Sequence, residues 1–181
     1  MSKLLILSAG VSQDSNNTKL AKKLNKSLDE KGVPNEIYDN LYENIPFLLD
    51  NQKEVPKKIL EMRKSLESTD KIVIFSPVYN GGFLAHLKNT LDWLSLAYDE
   101  YRYNALFKDK TVGVITSVRG GGGNAQNAFN ILSAQLMNYG LRVFEEFHLI
   151  TNKEYQEDIS IEENQTVFEN ITQYVNRFLE F

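Results

Sequence analysis

Cysteine is absent from the chain. That excludes disulfides, thiol catalysis and cysteine-based zinc or iron–sulfur sites, and it fits a reducing compartment. Histidine occurs only at His86, in a helical pattern, and His148, in a strand pattern, and both read as structural. No carboxylate pair or metal-ligand spacing stands out, so neither a catalytic residue nor a metal site is expected. Charge of one sign is also lacking. A net charge of −4 is neither the basic footprint of a nucleic-acid binder nor the strongly acidic surface of a carrier steered onto basic partners. No apolar run is long enough to cross a bilayer. Met1-Ser2-Lys3 leads straight into a strand pattern, without the basic, apolar and cleavage-site succession of a leader. These absences point to a cytoplasmic protein with no nucleic-acid or membrane partner.

What is present is ordinary for a globular chain: 181 residues, 42% apolar and 24% charged, which suits one domain over residues 1–181. Apolar runs of strand length occur at Leu4–Leu7, Glu36–Tyr38, Ile72–Phe75, Val112–Thr116 and Leu141–Ile150. Amphipathic segments lie between and after them, at Lys19–Lys31, Val55–Leu66, Leu84–Tyr98, Ala125–Tyr139 and Ile161–Leu179. Five strands alternating with five helices call for an α/β fold with a parallel sheet covered on both faces. Gly32 and Gly140 are placed to end the first and fourth helices, and Ser68-Thr69-Asp70 the second. Asn40–Asn51 and Tyr98–Lys110 are long irregular connections, either functional and interfacial or simply surface cover.

In such a sheet, ligands bind where loops leave the carboxyl ends of the strands. Three loops there have unusual compositions. The first, Ser8 to Thr18, is dense in hydroxyl and amide side chains and leads into a helix. Its backbone N–H groups and dipole favour a phosphate, with Ser12, Ser15, Asn17 and Thr18 as neutral donors. A plain helix cap is the competing reading. No Gly-Lys-Ser/Thr follows, and the Gly-x-Gly-x-x-Gly of dinucleotide folds is missing. The second loop, Pro77 to Gly82, offers an exposed Tyr79, Asn80 and the amides from Val78 onward to a flat aromatic ligand; Tyr79 could equally pack on a neighbouring subunit. The third, Thr116 to Asn124, holds four consecutive glycines, which let a backbone approach a ligand closely. Arg119 is the sole basic residue in the three loops.

At these residues the chain resembles the NAD(P)H-dependent FMN reductase family of flavodoxin-like proteins, which includes quinone, chromate and azo-dye reductases. The resemblance runs roughly from Lys3 to Ile150. It rests on Pro77-x-Tyr79-Asn80, on Leu87-Lys88-Asn89-x-x-Asp92-Trp93, on the Ser/Asn loop before Lys19-Leu20-Ala21, and on the Gly-rich loop before Ala125-Gln126. It implies a flavodoxin-like, doubly wound five-stranded parallel sheet of order 2-1-3-4-5. It implies FMN, its phosphate held by Gly10, Ser12, Ser15, Asn17 and Thr18. The ring would rest on Pro77, Val78, Tyr79 and Asn80, with Ser117, Gly120, Gly121 and Gly122 on its other side. Homodimers or homotetramers are common in the family. The chain departs from the usual pattern at Ser12, where an Arg is frequent, at Val78, and at Leu84-Ala85.

The activity implied is hydride transfer from NADPH or NADH to flavin N5, then to a small acceptor such as a flavin, quinone, azo or nitro compound. Because the cofactor carries that chemistry, the lack of a catalytic constellation is no obstacle. The alternative is a one-electron flavodoxin-type carrier, whose usual flanking aromatics and strong negative charge are wanting here. A response-regulator receiver is rejected, since Ser76-Pro77 and Ser8-Ala9 stand where its acidic residues would be.

Overall fold

The computed structural model describes residues 3–50 and 54–181; Met1, Ser2 and Asn51, which enter the readings above, lie outside them. In chain order the elements are β1 (Lys3–Ser8), α1 (Asn16–Glu30), β2 (Asn35–Tyr38), α2 (Lys57–Glu67), β3 (Thr69–Phe75), α3 (Ala85–Ser95), β4 (Thr111–Ser117), α4 (Ala125–Asn138), β5 (Arg142–Ile150) and α5 (Gln165–Glu180). The five strands pair in parallel in the order β2-β1-β3-β4-β5. This is the flavodoxin-like α/β sheet the sequence implied.

Strand side chains alternate between faces, and so does the core. Leu5, Leu7, Ile72, Ile74, Val112 and Val114 face α2, α3 and α4. Leu4, Ile6, Val73, Phe75 and Ile115 face α1 and α5. Helix ends differ from the expected bounds for local reasons. Ser15 caps α1 by accepting from the Thr18 N–H, so Asn16, Asn17 and Thr18 form its first turn. At its other end Gly32 takes φ 67° and the Val33 N–H donates to the Leu28 carbonyl at 2.9 Å, as a C-terminal glycine should. Gly140, at φ 90°, follows α4 in the same way. Ile161–Glu163 closes a separate 3-10 turn, and Asn164 caps α5. Thr69 and Asp70 do not end a helix loop; they open β3.

The motif on α3 is mechanical. Asn89 accepts from the Leu48 N–H at 2.9 Å and donates to the Pro46 carbonyl at 3.0 Å. Trp93 Nε1 donates to the same carbonyl at 2.8 Å. Together they pin the connection after β2. Asp92 accepts from Lys88 at 2.7 Å and from the Tyr139 hydroxyl at 2.6 Å, which locks α3 to the end of α4. Burial, and then the Asp92 carboxylate, hold the Tyr139 phenol far above its ordinary range. The Tyr98–Lys110 segment packs under the other end of α3. Asn104 N–H donates to the Ser95 carbonyl, the buried Arg63 donates to the Trp93 carbonyl, and the Tyr98 ring covers the Arg63 guanidinium. It therefore lies at the opposite end of the sheet from the carboxyl-end loops, and is removed from any substrate pocket there.

Between β4 and β5 the register jumps: Val112 pairs with Val143, but Val114 pairs with Phe147. The Tyr174 hydroxyl of α5 fills the gap, accepting from the Val114 N–H at 2.8 Å and donating to the Glu146 carbonyl at 3.3 Å. Gly113 makes room, since a Cβ there would stand 2.8 Å from that hydroxyl. This plug sets where β5 resumes and so where the loop beyond it lands. Tyr174→Phe would leave the Val114 N–H buried and unpaired, and is expected to lower stability by about 1–3 kcal/mol in urea unfolding.

Candidate cofactor cleft

The loops leaving β1, β3 and β4 enclose a cleft of about 540 Å³ at the carboxyl end of the sheet. That is within the size range of small-molecule and cofactor sites. Ser12, Ser15, Asn17, Pro77, Val78, Tyr79, Ser117 and Gly120 line it, as expected, while Gly10, Thr18, Asn80, Gly121 and Gly122 do not.

All of the latter but Gly121 have another task. Thr18 is fully buried, its hydroxyl between Ser8 Oγ at 3.1 Å and Ser15 Oγ at 2.9 Å. Gly10 packs over this hydroxyl chain: a Cβ would sit 2.1 Å from both Ser15 Oγ and Thr18 Oγ1. Asn80 and Gly81, at φ 50° and 77°, form a two-residue hairpin whose flanking Tyr79 and Gly82 exchange backbone bonds at 3.0 Å. Two successive left-handed residues with an Asn-Gly sequence are a type I′ turn. The hairpin consumes the Tyr79 and Gly82 amides, which sequence reasoning had offered to a ligand. Gly122, at φ 74°, faces Leu149 and Thr151 on the β5 side. Gly121 lies against no neighbouring atom where its Cβ would be.

Asn17 is buried and both ends of its amide are spent within the protein. Nδ2 donates to the Ser117 carbonyl at 2.9 Å and Oδ1 accepts from the Ser117 N–H at 3.0 Å. What α1 leaves for a ligand is the backbone: the N–H groups of Asn16 and Asn17 belong to the first turn and complete no intrahelical bond. With the dipole of a 15-residue helix behind them and the Ser12 and Ser15 hydroxyls beside them, they make an anion-favouring end of the cleft.

Two further bonds tie the walls together. His86, on the first turn of α3, lies 3.0 Å from the Ala9 carbonyl through Nε2, which requires the Nε2–H tautomer as donor. Asn127 of α4 donates to the Gly81 carbonyl at 3.0 Å and anchors the hairpin tip. Residues outside the predicted set also line the cleft, among them Asn16, Arg119 and Tyr155. Tyr155 comes from the connection after β5, a fourth carboxyl-end loop that has no glycine and is dominated by charged and amide residues. It corrects the expectation that this side of the cleft lacks an aromatic residue.

Residues 2–150 match the model of the family described as NADPH-dependent FMN reductase. An FMN-dependent NADH:quinone oxidoreductase of Burkholderia thailandensis is 32% identical over 140 residues, covering 65% of this chain and 70% of that one. One with the same description from Mycoplasma mycoides is 35% identical over 68 residues, and the match spans only 33% of its length. Among solved structures, FerB, the flavoenzyme NAD(P)H:(acceptor) oxidoreductase of Paracoccus denitrificans, shares the fold. Its TM-score is 0.77 at 22% identity, over 99% of this chain and 96% of that one.

Asn17→Ala would leave both backbone groups of Ser117 without their partners, and should cost about 1–3 kcal/mol in urea unfolding. A pH effect follows from the histidines. Burial pulls His86 below the ordinary 6.5, the bond to Ala9 opposing it; burial and then Arg177 pull His148 down likewise. Each gains its proton at a lower pH in the folded chain than in the unfolded one, so the unfolded chain binds protons first as the pH falls. Urea midpoints between about pH 8 and pH 5 should hold down to the ordinary histidine value and decline below it, with a shallower decline in His86→Gln.

Proposed function

The chain belongs to the NADPH-dependent FMN reductase family, and from that membership we propose that it is an FMN-binding reductase that takes electrons from NADH or NADPH and passes them to a small acceptor. Quinones are the acceptor class best supported, since the matched relatives from Burkholderia and Mycoplasma are described as FMN-dependent NADH:quinone oxidoreductases. The observation that carries the reading is the division of the cleft into an anion-favouring helix terminus at one end and an exposed Tyr79 beside Pro77 and Val78 at the other.

The residues fit FMN by their chemistry. A phosphate suits the first-turn N–H groups of α1 with Ser12 and Ser15, and Arg119 is the cation nearest to hand for added negative charge. The exposed face of Tyr79 suits a flat ring. Bound FMN supplies acceptance of a hydride from the nicotinamide at N5 and its delivery to the acceptor. The chain's part is to orient and to exclude. The Asn80-Gly81 hairpin, anchored by Asn127, holds Tyr79; Asn17 and His86 fix the first loop against the other two. No side chain has to exchange a proton for this, in keeping with a cleft that holds no histidine or paired carboxylates among the described residues.

The same proposal takes residues 1–181 as one cofactor-binding domain, cytoplasmic and assembled as a homodimer or homotetramer. Exposed Tyr103 and Met137, which line one surface hollow together, support a partner-covered surface. Among the described residues, no helix is long and apolar enough to cross a membrane.

The protein loaded with FMN and desalted should keep its flavin absorbance. It should bleach on anaerobic addition of NADH or NADPH, and recover when a quinone is added. Retained flavin that ignores both nucleotides would convert the reading to a one-electron carrier. Loss of the flavin together with no NAD(P)H oxidation in excess free FMN would end it.

A further inference from the structure

At the end of β4 two hydroxyls that line the cleft, those of Ser117 and Tyr155, have spent their protons. The Ser117 backbone N–H and carbonyl are both taken by the Asn17 amide. The Tyr155 hydroxyl lies 2.7 Å from the Val118 carbonyl, and a carbonyl only accepts, so the single phenolic proton points there. The same hydroxyl lies 2.9 Å from Ser117 Oγ. With no proton left, Tyr155 must accept in that contact, and Ser117 must donate. The hydrogen bonds therefore run one way, from Ser117 to Tyr155 to the Val118 carbonyl. Both residues line the cleft, and both hydroxyls keep lone pairs only.

The turn that carries Tyr155 is held firmly enough to impose this direction. Thr151 and Glu154 form a capping box, with the Thr151 N–H and hydroxyl donating to Glu154 Oε2 at 2.9 and 2.7 Å. The Asn152 N–H donates to the Gly120 carbonyl at 3.1 Å, and Asn164 Nδ2 to the Glu154 carbonyl at 3.0 Å. A serine without such a partner turns its hydroxyl to suit whatever it meets. This one cannot.

We propose that Tyr155 is a positioning residue that fixes Ser117 as a hydrogen-bond acceptor, so that the Ser117 hydroxyl accepts from an N–H or O–H donor of the bound flavin and does not donate to one of its carbonyls. The inference rests on the flavin reading above. It gives the cleft a polarity: backbone donors at the α1 terminus for the anionic group, acceptor oxygens at the β4 end for a donor. FMN carries two kinds of donor, the imide N–H of its ring and the hydroxyls of its ribityl chain.

The test measures dissociation constants for wild type, Tyr155→Phe, Ser117→Ala and the double variant. The ligands are FMN, N3-methyl-FMN and a flavin phosphate whose alkyl chain lacks hydroxyls. Wild type should bind one modified flavin more weakly than FMN, and which one identifies the donor. In Tyr155→Phe that discrimination should shrink by about two- to tenfold, the worth of one hydrogen bond, because Ser117 regains the freedom to donate. The double variant should discriminate no differently from Ser117→Ala. Unchanged discrimination in Tyr155→Phe, or fully additive single effects, would overturn the proposal while leaving the flavin reading intact. No binding of any flavin by wild type would overturn both. Should Tyr155→Phe fold poorly, Ser117→Ala carries the test alone: it must abolish the discrimination, and its persistence refutes the role of Ser117.

Discussion

The cleft depends on a single side chain, that of Asn17. β1 and β4 are not neighbours in the sheet; β3 lies between them, so the first and third loops start roughly 10 Å apart at the usual strand spacing. Backbone bonds carry each loop only onto the adjacent strand, Ala9 to Phe75, Ser76 to Ile115 and Val118 to Ile150, and none of them joins the first loop to the third. The Asn17 amide does, by meeting both the N–H and the carbonyl of Ser117. A side-chain amide holds a donor and an acceptor side by side at a fixed spacing, which matches the N–H and carbonyl that one residue of an extended strand presents together. Because the pair is buried, the bond is held in a low-dielectric setting and its geometry is firm.

Around this bridge, the most family-specific residues act as scaffolding. Asn89 and Trp93 hold the connection after β2, Asp92 joins α3 to α4, and His86 ties α3 to the first loop. Their side chains satisfy loop backbone groups that no sheet or helix would pair. A loop-built site needs such support if its walls are to keep their spacing when a ligand arrives. Asn80 belongs to the same class, since its left-handed backbone shapes the hairpin that presents Tyr79.

What remains for a ligand is a set of neutral donors at a helix terminus, the Asp14 carboxylate, an exposed aromatic ring, one arginine and the acceptor oxygens of Ser117 and Tyr155. Such a site binds and orients, and leaves the reaction to what it holds. Membership of a flavin-dependent reductase family and this chemical plainness are two aspects of one arrangement.

The strands and helices and their succession along the chain were legible because apolar patterning reports which face of each element is buried, and that needs no knowledge of distant contacts; the sheet order came from the family resemblance. The three loops were legible as well, because clustered hydroxyls, Asn-Gly and consecutive glycines are locally expensive in a regular element. The direction in which each loop side chain points was not legible. Thr18 and Asn17 look like ligand donors in the sequence, and only the approach of Ser8 and of Ser117, from elsewhere in the chain, turns them inward. Tyr155 shows the reverse case, an unremarkable residue brought into the cleft by where β5 resumes after its register jump. A hydroxyl or amide takes its role from the nearest unpaired partner, and tertiary structure alone decides which partner that is.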